Sequence, residues 1–82
     1  METDAGKQIL ENLLKKGIIG ARHTSTKNTL KVLSKDQRGN GEKILKQLRV
    51  LGYVTFHPTS YGMQVSLNPA KVKEIKQTLN IP

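Results

Sequence analysis

The apolar residues of the chain recur with two different periods. In the first stretch Ile9, Leu10, Leu13 and Leu14 stand at i, i+1, i+4 and i+5, which is one stripe of an amphipathic helix. The spacing predicts a helix over about residues 5 to 16. Asp4 is placed to cap its first N–H groups, Lys15 and Lys16 lie at the negative end of its dipole, and Gly17 suits the left-handed conformation that stops it. Ile18 and Ile19 then return the chain to the core. A short second helix, capped by Thr24, Ser25 or Thr26, carries Leu30 and Leu33 with Val32 alongside and ends near Ser34. Ile44, Leu45, Leu48 and Leu51 mark a third helix that closes on Gly52. Its start is open between two signals. Ser34 and Gln37 form a capping box, whereas Asn40 as cap leaves Gly39 and Gly41 in a turn. The longer helix, from about residue 35, is favoured. It puts Gln37, Gly41, Ile44 and Leu48 on an inner face and Lys35, Gly39, Glu42, Lys43, Lys46 and Arg49 on an outer one.

After Gly52 the period changes to two. "YVTFH" and "MQVSL" read as strands flanking the turn-forming "PTSYG", a hairpin with one buried face that includes Met63, Val65 and Leu67. Asn68 as cap and Pro69 at the first helical position begin a last helix with Val72, Ile75 and Leu79 as its stripe. The expected organisation is one α+β domain over residues 1–82, with a three-helix core, a two-stranded hairpin and a C-terminal helix. No repeat interrupts it, although "GARHTST" at 20–26 and "HPTSYG" at 57–62 share a His, Thr and Ser theme.

Charge adds a functional direction. The chain carries a net +8 over 82 residues, and residues 21–51 hold eight basic side chains against Asp36 and Glu42, a net of +6. A concentrated positive field favours a polyanion, because neutralising phosphates releases condensed counterions whatever the base sequence. A domain of this length buries roughly 60% of the surface of its unfolded chain, so the core is thin. The absence of cysteine excludes disulfides and thiolate metal sites. No apolar run approaches the ~18 residues of a membrane span, and "METDAGKQ" is too polar and acidic for a signal peptide, so a cytoplasmic protein without membrane contact is expected.

The order of elements, together with "KDQRGNG", "LKQLRVLGYV" and the hairpin "YVTFHPTSYGMQVSL", resembles the winged helix-turn-helix superfamily of DNA-binding domains. The "SLNP" run into a final helix, the small size and the Lys-rich composition are similar to small archaeal members. The resemblance covers nearly the whole chain. It implies a transcription regulator whose third helix lies in the major groove of double-stranded DNA, with the hairpin over the neighbouring backbone.

Within that expectation Arg38 is the choice for a guanine edge, Asn40 is a further base reader, and Lys43, Lys46 and Lys35 face the duplex from the same helix. Arg22, His23, Thr24, Ser25 and Lys27 surround the start of the second helix, where free N–H groups suit phosphate. Thr59 and Ser60 offer hydroxyls at a hairpin tip without arginine or lysine, which argues against deep minor-groove insertion. The competing reading of the tip has Pro58, Thr59, Ser60 and Gly62 build the turn while Tyr61 covers the core edge. An enzyme is not expected: Ser25 and His23 lack a glycine elbow and a neighbouring acid. A metal site would require His23 and His57 to meet with further ligands, and no cofactor is implied. A homodimer through the first or last helix is compatible with so thin a core. An RNA-binding or protein-binding winged helix is the alternative.

Overall fold

The computed structural model describes residues 4–81. It is a small α+β domain of five helices and a three-stranded antiparallel sheet. The helices are α1 (Asp4–Lys15), α2 (Thr26–Leu30), α3 (Lys35–Arg38), α4 (Gly41–Val50) and α5 (Val72–Thr78), the last preceded by a 3₁₀ turn, Pro69–Lys71. The strands are β1 (Thr24–Ser25), β2 (Val54–Thr59) and β3 (Gly62–Leu67), in the order β1-β3-β2. No helix among the described residues is long and apolar enough to cross a membrane.

Three of the helices end by the same device. Past α1, Gly17 adopts φ 66° while its N–H donates to Leu14 O and that of Ile18 donates to Leu13 O. Gly52 (φ 83°) repeats these bonds after α4, and Asn80 (φ 58°) repeats them after α5. This pairing satisfies the last carbonyls of a helix at a left-handed residue. At the other end of α1, Asp4 is already helical, so its carboxylate stands in the first turn, where it complements the dipole, rather than capping from outside.

The core is built from the predicted stripes. Ile9, Leu10 and Leu13 of α1, Leu45 and Leu48 of α4, Ile75 of α5, and Leu33, Val54 and Leu67 are all buried. Each contributes about 1.5–3 kcal/mol relative to an exposed side chain. Leu51 and Met63, expected on these stripes, lie beyond the core's edge and are largely exposed.

Two expectations about architecture need correction. The long third helix is two helices. Its capping box exists, with Gln37 N–H donating to Ser34 Oγ and Ser34 N–H to Gln37 Oε1, but it starts only the four-residue α3. The path leaves the helix at Gly39 and Asn40 and restarts at Gly41. Gly41 is buried against α2: a Cβ there would come within 2.7 Å of Leu30 Cδ2. The break thus seats α4 on α2 at a position without a side chain.

The sheet, too, has three strands rather than two. Thr24 pairs with Val65 and Ser25 with Gln64, while Leu67 N–H donates to Ile18 O and accepts, through its carbonyl, Gly20 N–H. Residues 18–25 therefore occupy the outer edge of β3. With that edge covered, Val65, Ser66 and Leu67 are all fully buried, so the hairpin is not buried on one face alone. β2 runs on through Pro58, which a strand at the sheet's free edge tolerates because its missing N–H breaks no inner ladder.

Gly39 has helical φ and nothing within 4 Å of a Cβ. Gly39→Ala is expected to stabilise the domain by about 0.4–1 kcal/mol through the unfolded chain. Gly41→Val, forced against Leu30, is expected to destabilise it by about 1–3 kcal/mol. Urea unfolding of both variants checks the pair, and equal effects would contradict the packing described.

Candidate functional site

The basic segment can be sorted by what each side chain already does in the fold. Arg38 is committed: its Nε–H donates to Leu33 O at 3.1 Å and its Nη2–H to Lys31 O at 3.2 Å. These carbonyls follow α2, so the guanidinium closes the end of that helix. The guanine-reading role expected of Arg38 would compete with these bonds. Arg49 lies 5.4 Å from the centre of the Phe56 ring, a cation–π contact that ties α4 to β2.

The other six cations of the segment, Arg22, Lys27, Lys31, Lys35, Lys43 and Lys46, are exposed and make no side-chain hydrogen bond or ion pair. The two ion pairs among the described residues, Lys15–Glu11 and Lys71–Glu74, both lie outside the segment. Asp36 and Glu42 neutralise none of the six by direct contact.

Several of these groups are neighbours. Lys43 and Lys46 border one shallow hollow on α4 with Gln47, Val50 and Leu51. Asn40 and Lys43 border another between α4, α3 and the start of α1. The Asn40 side chain makes no cap hydrogen bond, so its amide is free. Lys27 and Lys31 share a third hollow with Leu30 and Arg38. Lys35 is exposed at the start of α3.

The residues of "GARHTST" divide. Thr24 is in β1, and Ser25 caps α2, its Oγ accepting Asn28 N–H at 3.1 Å, while Thr29 Oγ donates to Ser25 O. His23 is exposed, and its Nδ1–H donates to Gln64 Oε1. At the hairpin tip Thr59 is spent inside the turn, donating to Gly62 O at 2.7 Å and accepting Tyr61 N–H. Ser60 remains exposed. Tyr61, which one reading set over the core edge, is 94% exposed, because the two-residue loop between Thr59 and Gly62 projects it away from the sheet.

The expectation missed a second feature. His57 alternates onto the same face of the hairpin as Thr55, Gln64 and Ser66. Its Nε2 lies 2.9 Å from Ser66 Oγ and 3.1 Å from Thr55 Oγ1, and Ser66 Oγ–H donates to Gly20 O at 3.0 Å. The ring of His23 stacks on that of His57 with centroids 4.9 Å apart. The two histidines that a metal site required thus do meet, although no group of three or more His, Asp or Glu is close enough to hold a metal ion among the described residues. The serine–histidine pair resembles a nucleophile and base, but Ser66 is fully buried and its proton points to a backbone carbonyl, so no substrate can reach it. Of the His, Thr and Ser theme shared by the two segments, only the two histidines meet here, since Thr55 and Ser66 lie outside both segments.

Comparison with family models, with curated proteins and with solved structures returns no significant match.

Arg38→Ala is expected to lower stability by about 0.5–1.5 kcal/mol through the loss of two capping bonds. Lys43→Ala and Lys46→Ala should change stability by less than ~0.5 kcal/mol. Thermal or urea unfolding of the three variants separates the cation that holds the fold from those that do not.

Proposed function

We propose that the chain is a winged helix-turn-helix domain that binds double-stranded DNA as a small transcription regulator. The observation that carries this reading is the set of six exposed cations on and around α2 to α4 with no partner in the fold. Holding like charges together weakens the compact state through self-repulsion. A phosphate backbone offsets that cost and adds counterion release.

The order α1-β1-α2-α3-α4-β2-β3 supports the architecture, with α4 as recognition helix and β2-β3 as wing. On this reading Asn40 is the residue for a base edge, since an amide can pair with adenine N6 and N7. Lys43 and Lys46 lie along the adjoining phosphates. Arg22 and Lys27 hold the backbone near the start of α2 and Lys31 holds it past the helix's other end, while Arg38 keeps that helix in place from behind. The wing contributes Ser60 and Tyr61 rather than a charge.

The test is a salt titration of duplex DNA binding. The logarithm of affinity should fall linearly with log salt, and Lys43→Ala and Lys46→Ala should each reduce the slope by about 0.9. Undetectable duplex binding at low salt would sink the reading. Equal affinity for single-stranded RNA would transfer the domain to the RNA-binding winged helices.

A further inference from the structure

The exposed side of α4 carries more than charge. Lys43, Gln47 and Val50 stand at i, i+4 and i+7, which places them on one line along the helix. All three are exposed, and with Lys46 and Leu51 they border a single hollow. Val50 is 86% exposed and Leu51 45%, so α4 ends in an aliphatic patch that the core does not cover. The side-chain amide of Gln47 makes no hydrogen bond within the fold among the described residues. Arg49 is held over Phe56 on the flank of the helix, away from this line.

Charge narrows what the patch can meet. Two lysines and no acid border its hollow, whereas the neighbouring hollow around Asn40 also has Asp4 and Asp36 on its rim. The attraction for phosphate is therefore greatest at the half of α4 that presents Gln47 and Val50. A second copy of this chain, with its own net +8, would bring like charges against the same lysines. The major groove of a duplex has the complementary layout, with phosphates on both sides of base edges that include one apolar group, the methyl of thymine.

The uncharged residues also distinguish among bases. An amide both donates and accepts, which matches adenine, where the N7 acceptor lies beside the N6 donor. Guanine offers two acceptors at that edge, so one end of the amide would face an acceptor with an acceptor. Val50 lies one turn beyond Gln47, about 4.5 Å along the helix axis. Successive base pairs are spaced by about 3.4 Å, so the two side chains address neighbouring pairs.

We infer, on the reading of the chain as a duplex-binding domain, that α4 selects two successive A·T pairs, Gln47 bonding an adenine edge and Val50 covering the thymine methyl of the next pair. Lys43 and Lys46 supply attraction that is indifferent to sequence. Gln47 and Val50 supply the choice.

The probes are three short duplexes at one low salt concentration: alternating A and T, the same with uracil in place of thymine, and alternating G and C. Uracil removes the methyl group and leaves the hydrogen-bonding edges in place. The protein is expected to bind the thymine duplex about fourfold more tightly than the uracil duplex, the worth of one buried methyl-sized group. The G·C duplex should bind at least about fivefold more weakly than the thymine duplex. Val50→Ala withdraws the two methyl groups and should leave the thymine and uracil duplexes nearly equal. Gln47→Ala should keep the thymine–uracil difference and lose most of the remaining preference for A·T. Both positions are exposed and neither change alters charge, so the variants should stay folded and keep the salt dependence of the unchanged protein. Duplex binding with equal affinity for thymine and uracil, or for A·T and G·C, would overturn this assignment while leaving the duplex reading intact. A thymine preference that survives Val50→Ala would do the same. Undetectable binding of all three duplexes would overturn both.

Discussion

The structure depends on how the outer edge of β3 is closed. β3 is the central strand, and a central strand with an open edge would leave buried N–H and C=O groups without partners, at about 1–3 kcal/mol each. Residues 18–25 supply them twice over, first around Leu67 and then, after a turn, at Val65 and Gln64. The same short segment ends at Ser25, whose hydroxyl starts α2. Position therefore passes from the sheet to α2 without slack. From α2 it passes to α4 through Gly41 and Leu30, and to the break before α4 through Arg38. The orientation of α4, which carries Lys43 and Lys46, is thus tied through α2 to a strand of two residues.

Closing that edge also creates a polar interior on the outer face of the sheet. Ser66 is fully buried and would be costly if unsatisfied, yet it is bonded to Gly20 O, Thr55 and His57. No buried side-chain polar atom among the described residues lacks a partner. The histidine stack above this network is a consequence of register: His57 and Ser25 both lie opposite Gln64, which brings the end of one motif over the other.

The sequence made the helix ends and the hairpin legible because those features are local. Gly17 and Gly52 announce their left-handed turns, and Asn68 with Pro69 announces the last helical segment. β1 was hidden for the opposite reason. Thr24 and Ser25 are too few to show a period of two, their residue types are those of caps, and their partners lie about 40 residues away in the chain. The split of the third helix was half visible. The capping box at Ser34 is a local signal, but the break after Arg38 answers the seating of Gly41 on Leu30, a tertiary contact. The candidate site shows the same division. That the middle third is basic can be counted, whereas the commitment of Arg38 to carbonyls of Lys31 and Leu33 cannot be read without the turn between α2 and α3.

This division bears on how charge and stability are shared in so small a domain. Arg38 and Arg49 sit within the same basic run as Lys35, Lys43 and Lys46, yet they are absorbed by the fold, one on carbonyls and one on an aromatic ring. Both tasks suit a planar guanidinium with several donors, and a lysine ammonium performs them less well. The cations left uncommitted are mostly lysines, compact charges on flexible stems that suit phosphates whose positions vary. Within residues 27–51 residue type therefore separates the two roles where position does not. In a chain with a thin core, a cation that also braces a helix cannot swing toward a ligand without loosening the element that presents the others. Arg38 and Arg49 fix the surface, and the lysines on it, with Arg22 beside them, stay free.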